Sequence, residues 1–137
     1  MKKICILICA LLLLAGCSSQ SNPETQVKAY LKAEALNDSQ AMRNLVEPGK
    51  NPDPNWLAAN VGNHVLKVDL KKVSLETTID VDRARVHVSG QIHYTFDNPV
   101  DLPILPDTIT VPVPVDRTLQ MVKIDGGWFI SPEGETK

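Results

Sequence analysis

Apolar positions along this chain change their period once. From residue 23 to residue 61 they recur at helical spacing, and from Val65 onward they alternate with polar ones. Ser21-Asn22-Pro23-Glu24 has the chemistry of a helix start, with Ser21 and Glu24 spaced as a capping box, or Asn22 capping ahead of Pro23. Val27, Tyr30 and Leu31 then share one face. Asn37-Asp38 breaks the run, and Ser39 is placed to cap a second short helix carrying Ala41, Met42, Leu45 and Val46. Glu47 to Pro52 is a loop by composition. Asp53-Pro54 opens a third helical turn with Trp56, Leu57 and Val61.

The strand pattern follows without a further helix. Leu66, Val68 and Leu70 occupy even positions but Val73 and Leu75 odd ones, which predicts a bulge near Lys71-Lys72. Asp80-Val81-Asp82 marks a turn. Ala84, Val86, Val88, Gly90, Ile92, Tyr94 and Phe96 then line one face of a long strand, with Arg83, Arg85, His87, Ser89, Gln91, His93 and Thr95 on the other. Such alternation predicts a half-buried antiparallel strand. A proline-rich insert, Asp97 to Asp107, leads to a third strand from Thr108 towards Ile124. Pro112 and Pro114 share a parity there, so both missing amides point one way, towards an edge or an unpaired stretch. Asp125-Gly126-Gly127 is a tight turn and Trp128-Phe129-Ile130 the closing strand.

The amino terminus belongs to another kind of object. Lys2 and Lys3 precede the apolar run Ile4 to Ala15, which is short against the ~20 residues of a spanning helix but suits a secretory leader. Leu14-Ala15-Gly16-Cys17 resembles the bacterial lipobox. The resemblance implies lipidation of the Cys17 thiol, cleavage between Gly16 and Cys17, and acylation of the new amino terminus, palmitate being a chain of that kind. Residues 1–16 are then a signal peptide and 17–22 a lipidated tether, leaving 137 − 16 = 121 residues. One domain fits that length.

The leader changes the charge and cysteine counts. Lys2 and Lys3 leave with it, so 12 of the 14 basic residues face 16 acidic ones. A net-negative chain with 4% aromatic residues lacks the basic patches and stacking rings of general nucleic-acid binding. Cys5 and Cys9 also leave, so the folded domain has neither free thiol nor disulfide. Cysteine nucleophiles, Cys-ligated zinc and redox pairs are excluded with them.

Helices followed by a curved antiparallel sheet read as an α+β fold. The opening Thr25–Ala33 helix, the long hairpin and the closing Val122–Ile130 together resemble the nuclear-transport-factor-2-like (cystatin-like) domain of many small bacterial lipoproteins. That resemblance covers residues 22–131. It implies N-terminal helices packed on the sheet to form a cone, a domain over 23–131 and a tail over 132–137. The proline-rich insert departs from the pattern.

Candidate chemistry is sparse. His87 and His93 share a face but lie six residues apart, ~20 Å along a strand, too far for one ion. No metal and no cofactor is expected. Asp80, Asp82, Asp97, Asp101 and Asp107 sit among turn residues, where Asp is favoured for local hydrogen bonding. No acid falls on the apolar parity of the central strand, where a general acid or base would stand, so no catalytic residue is assigned.

Two binding surfaces remain. Arg85, His87 and His93 on the polar sheet face, with Leu102, Ile104 and Leu105 in the insert, are candidates for a protein partner or a second copy. Tyr30, Val86, Val88, Gly90, Ile92 and Tyr94 would line an interior site, Gly90 leaving either a bulge or a cavity. The expected function is a non-catalytic binding or assembly role at a membrane surface. The alternative is a carrier or sensor of a small apolar ligand inside the cone. Ser18 after the cysteine is not the aspartate that resembles an inner-membrane retention signal. An outer membrane is therefore expected in a two-membrane bacterium, and the outer face of the plasma membrane otherwise.

Overall fold

The computed structural model describes residues 22–52, 64–98, 104 and 106–136. The expected leader, the lipobox-like segment with Gly16 and Cys17, the expected third helical turn, and Leu102 and Leu105 lie outside the described residues.

Helix α1 (Pro23–Ala35) begins as its sequence dictates. Asn22 Oδ1 accepts a hydrogen bond from the Glu24 amide at 2.9 Å, and Pro23 occupies the first turn. Val27, Tyr30, Leu31 and Ala35 form its buried stripe. Asn37 takes φ 53 just past the helix, the Asn37 amide donates to the Glu34 carbonyl and the Asp38 amide to the Ala33 carbonyl. This is a Schellman stop, and Asn tolerates its left-handed residue better than most side chains. Helix α2 (Ser39–Leu45) follows at once. Its cap is Asp38, whose Oδ1 accepts from the Ala41 amide at 3.0 Å, rather than Ser39. One residue thus ends the first helix with its backbone and starts the second with its side chain.

The strands among the described residues form a single sheet. Strands β1 (Val65–Asp80), β2 (Arg83–Asp97), β3 (Thr108–Ile124) and β4 (Gly127–Thr136) lie in the order β1-β2-β3-β4, each antiparallel to its neighbour. The register of β1 on β2 shifts between Asp69 and Lys72, where the parity change of the apolar residues placed a bulge. Gly90 opposite has φ 114, and a Cβ there would stand 2.2 Å from the Lys72 carbonyl oxygen. The bulge needs a residue without a side chain. A second shift lies between Val65 and Lys67, which the pattern did not signal, and Leu66 is left 54% exposed. The β3–β4 turn has positive φ at both Asp125 and Gly126, as a two-residue Asp-Gly hairpin requires.

The core lies between the helices and one sheet face. Ala84, Val86, Val88, Ile92 and Tyr94 of β2, Leu119 and Met121 of β3, and Trp128 and Ile130 of β4 are buried there under Val27, Tyr30, Leu31, Met42 and Val46. Val46 bridges Ile130, and the Glu47 amide donates to the Ile130 carbonyl at 2.9 Å, fastening the helical segment to the outer strand. Helix α1 crosses the sheet from β1 to β3. Near its start Glu24 accepts from Thr77 Oγ1 at 3.0 Å, and near its end Glu34 meets Arg117.

The expected fold class is corrected. Among the described residues, the α+β cystatin-like cone gives way to what is mostly a four-stranded antiparallel meander with two short helices. The physical reason is relative length. Helices of 13 and 7 residues cannot cover strands of 15, 16 and 17 residues. The far half of the sheet consequently extends past them, leaving Ile109 and Val111 44% and 40% exposed. The segment 132–137, expected as a tail, carries strand to Thr136, which pairs with Thr118.

Candidate functional site

The covered sheet face holds one charge pair that the sequence reading missed. Glu34 on α1 is 4% exposed, and Arg117 reaches it from the centre of β3. Arg117 Nη1 donates to Glu34 Oε1 at 3.1 Å, while Nη2 donates to Oε2. A planar guanidinium meets both carboxylate oxygens, the strong geometry for such a pair. Burial and the Glu34 carboxylate raise the Tyr94 phenol above its ordinary pKa of 10.0, while Arg117 pulls it back. The missed signal was in the spacing. Glu34 stands seven residues after Val27 and three after Leu31 on the buried stripe, and Arg117 takes an apolar position between Val115 and Leu119.

The residues expected to line an interior site are packed together. Val86, Val88 and Tyr30 are at most 2% exposed, and Ile92 and Tyr94 are 5% exposed. The Tyr94 and Phe96 rings stack with centroids 6.2 Å apart. The missing side chain of Gly90 makes room for the Lys72 carbonyl of the bulge, and not for a ligand. Of the two readings of that glycine, bulge or cavity, the structure has the bulge. The apolar carrier site therefore loses the observation that motivated it.

Of the residues expected to meet a partner, those on β2 fall on the opposite face. Arg85, His87 and His93 stand across from Gln120, Thr118 and Pro112. His87 Nδ1 lies 3.3 Å from Thr118 Oγ1, and Nε2 lies 3.4 Å from Asp116 Oδ1. His93 Nε2 is buried with no hydrogen-bond partner among the described residues. The two histidines do not converge, and no group of three or more His, Cys, Asp or Glu able to hold a metal occurs among the described residues. Ile104 in the insert is 87% exposed.

This face also carries an open groove of about 410 Å³, lined by Glu47, Lys50, Arg83, Gln120, Met121, Val122 and Ser131. Arg83 stands opposite Val122, and Gln120 opposite Ser131, so adjacent strands present them side by side. The loop after α2 forms the far wall, with Ser131 Oγ donating to Glu47 Oε2 at 3.4 Å. Only Arg83 of these lay on the polar face named from sequence. Glu47 and Lys50 reach the groove because Val46 is fastened to Ile130, a tertiary contact with no local signature. The arrangement offers hydrogen-bond donors and acceptors and side chains of both charges.

Comparison with known proteins bears on the fold. No protein-family model matches the chain, and no curated protein matches it. Among solved structures it is similar to a SEC-C motif containing protein from Rhodopseudomonas palustris, with 18% identity and a TM-score of 0.50 over 93% of this chain and 87% of that one. At that identity the likeness concerns the fold alone. It associates the meander with that SEC-C motif protein, completing the correction of the cystatin-like expectation.

Proposed function

We propose that the chain is a bacterial lipoprotein, anchored through acylated Cys17, whose extracytoplasmic domain serves as a non-catalytic binding or assembly module. The observation that carries this is Leu14-Ala15-Gly16-Cys17 directly after a basic start and a short apolar run. Two or more acyl chains give stable anchoring, each buried methylene contributing ~0.8 kcal/mol. The membrane is the outer one in a two-membrane cell and the plasma membrane otherwise, following Ser18.

The non-catalytic part rests on how the buried acid is held. Glu34 is engaged by Arg117 through both oxygens, and a carboxylate so occupied makes a poor general base. The binding part rests on the polar sheet face and its groove, for which a protein partner or a second copy is the fitting occupant. Mass spectrometry of the amino-terminal peptide tests the anchor: acylated Cys17 is expected, and an uncut chain or an unmodified thiol would sink it. Native mass spectrometry of protein extracted from its own host tests the module. A bound second protein or second copy is expected, and a monomer carrying only a discrete small-molecule adduct would overturn it.

A further inference from the structure

The β1–β2 hairpin ends on two apolar side chains that the fold leaves bare. Val81 is 87% exposed and Ile79 is 56% exposed. Val81 also takes φ 53, the left-handed region that a β-branched residue enters only against steric repulsion. Turns of this kind ordinarily use Gly, Asn or Asp, as Asp125-Gly126 does at the same end of the sheet. Contacts among the described residues give no reason for valine there.

The point where the chain enters the fold supplies one. Asn22 caps α1, and Glu24 accepts from Thr77, two residues before Ile79. The amino-terminal end of the domain is therefore beside this hairpin. Ser18 to Asn22 span at most ~18 Å at ~3.5 Å per residue, so acylated Cys17 holds a bilayer within that distance of Asn22. Val81 lies four residues beyond Thr77, roughly 13 Å further at ~3.3 Å per residue. The tip reaches nearly as far from the helix cap as the tether does.

We infer that the tip of this hairpin, through Val81 and Ile79, inserts into the headgroup region of the bilayer that holds Cys17. The inference rests on the lipoprotein reading proposed above. Charge decides which lipid surface fits. Asp80, Asp82 and Asp125 outnumber Arg83 and Lys123 at this end, with Asp80 directly opposite Arg83. An anionic surface offers no attraction to such a set. A zwitterionic surface such as phosphatidylethanolamine matches it. Two side chains make a weak contact alone, but the covalent anchor keeps the local bilayer concentration high.

The test uses the full chain, processed and lipidated in a bacterial host, then reconstituted in phosphatidylethanolamine vesicles. The processed chain retains no cysteine but the acylated Cys17, so Val81→Cys, Ile79→Cys and Val111→Cys each accept one environment-sensitive fluorophore. Val111 is the control, 40% exposed towards the opposite end of the sheet. The expected result is several-fold weaker quenching by aqueous iodide at positions 81 and 79 than at 111, with quenching by headgroup-labelled lipid only at the first two. Adding phosphatidylglycerol should not strengthen the protection. If Cys17 is acylated but iodide reaches all three positions equally, the tip contact is overturned and the lipoprotein reading stands. An amino-terminal peptide without acyl mass overturns both.

Discussion

Arg117 and Glu34 form a forked ion pair between the centre of β3 and the last turn of α1, with Nη1 to Oε1 at 3.1 Å and side chains 19% and 5% exposed. Removing one partner leaves the other charge buried without its counter-charge. Glu34→Leu and Arg117→Met are each expected to lower stability by ~3–5 kcal/mol. The double variant Glu34→Leu, Arg117→Met should recover most of that loss, since a well-packed apolar pair often equals a buried ion pair. Urea unfolding of the three variants reads the comparison, and additive losses would contradict it.

Tyr94 makes stability depend on pH in the alkaline range. Its folded pKa is raised above the ordinary 10.0, chiefly by burial and then by Glu34, so the folded state favours the neutral phenol. The contribution is fully present below pH 10 and is lost as pH rises through the folded value. Tyr94→Phe should flatten that part of the profile. Equilibrium unfolding of both proteins at neutral and alkaline pH measures the difference, and parallel curves would rule the effect out.

Two glycines with positive φ should respond differently to alanine. At Gly90 the added Cβ would stand 2.2 Å from the Lys72 carbonyl oxygen, whereas at Gly126 nothing lies within 4 Å. Gly126→Ala is expected to cost ~1–2 kcal/mol from backbone strain alone. Gly90→Ala adds a backbone collision that only a shift of the bulge relieves, so a loss of about 3 kcal/mol or more is expected. Thermal unfolding would contradict the account if the two variants melted together.

The prolines of β3 protect an edge. Among the described residues β4 pairs only with residues 118–124 of β3, while Pro112 and Pro114 keep their register with His93 and Gln91 on the other side. An uninterrupted β2–β3 ladder leaves the missing amides facing the open edge, where a donor would invite another strand. Replacing both prolines by threonine should raise self-association. Light scattering across a concentration series measures it, and an unchanged mass would mean that something else guards the edge.

Much of the local structure is legible in the sequence, although Asp38 and not Ser39 caps α2 and the shift between Val65 and Lys67 leaves no mark in the pattern. The Asn22 cap, the stop at Asn37-Asp38, the bulge between Asp69 and Lys72, the inward parity of Ala84 to Phe96 and the Asp125-Gly126 turn each follow from residues within one or two turns of each other. Period and turn chemistry act over that distance. Tertiary structure alone decided how far the helices extend over the sheet, and so that the sheet outruns them instead of closing into a cone. It also brought Glu34 to Arg117, residues 83 positions apart, and drew Glu47 and Lys50 to Arg83 and Gln120 around one groove. Those meetings depend on which faces pack across long stretches of chain. The periodicity names the faces, but only the packed fold determines what stands opposite them.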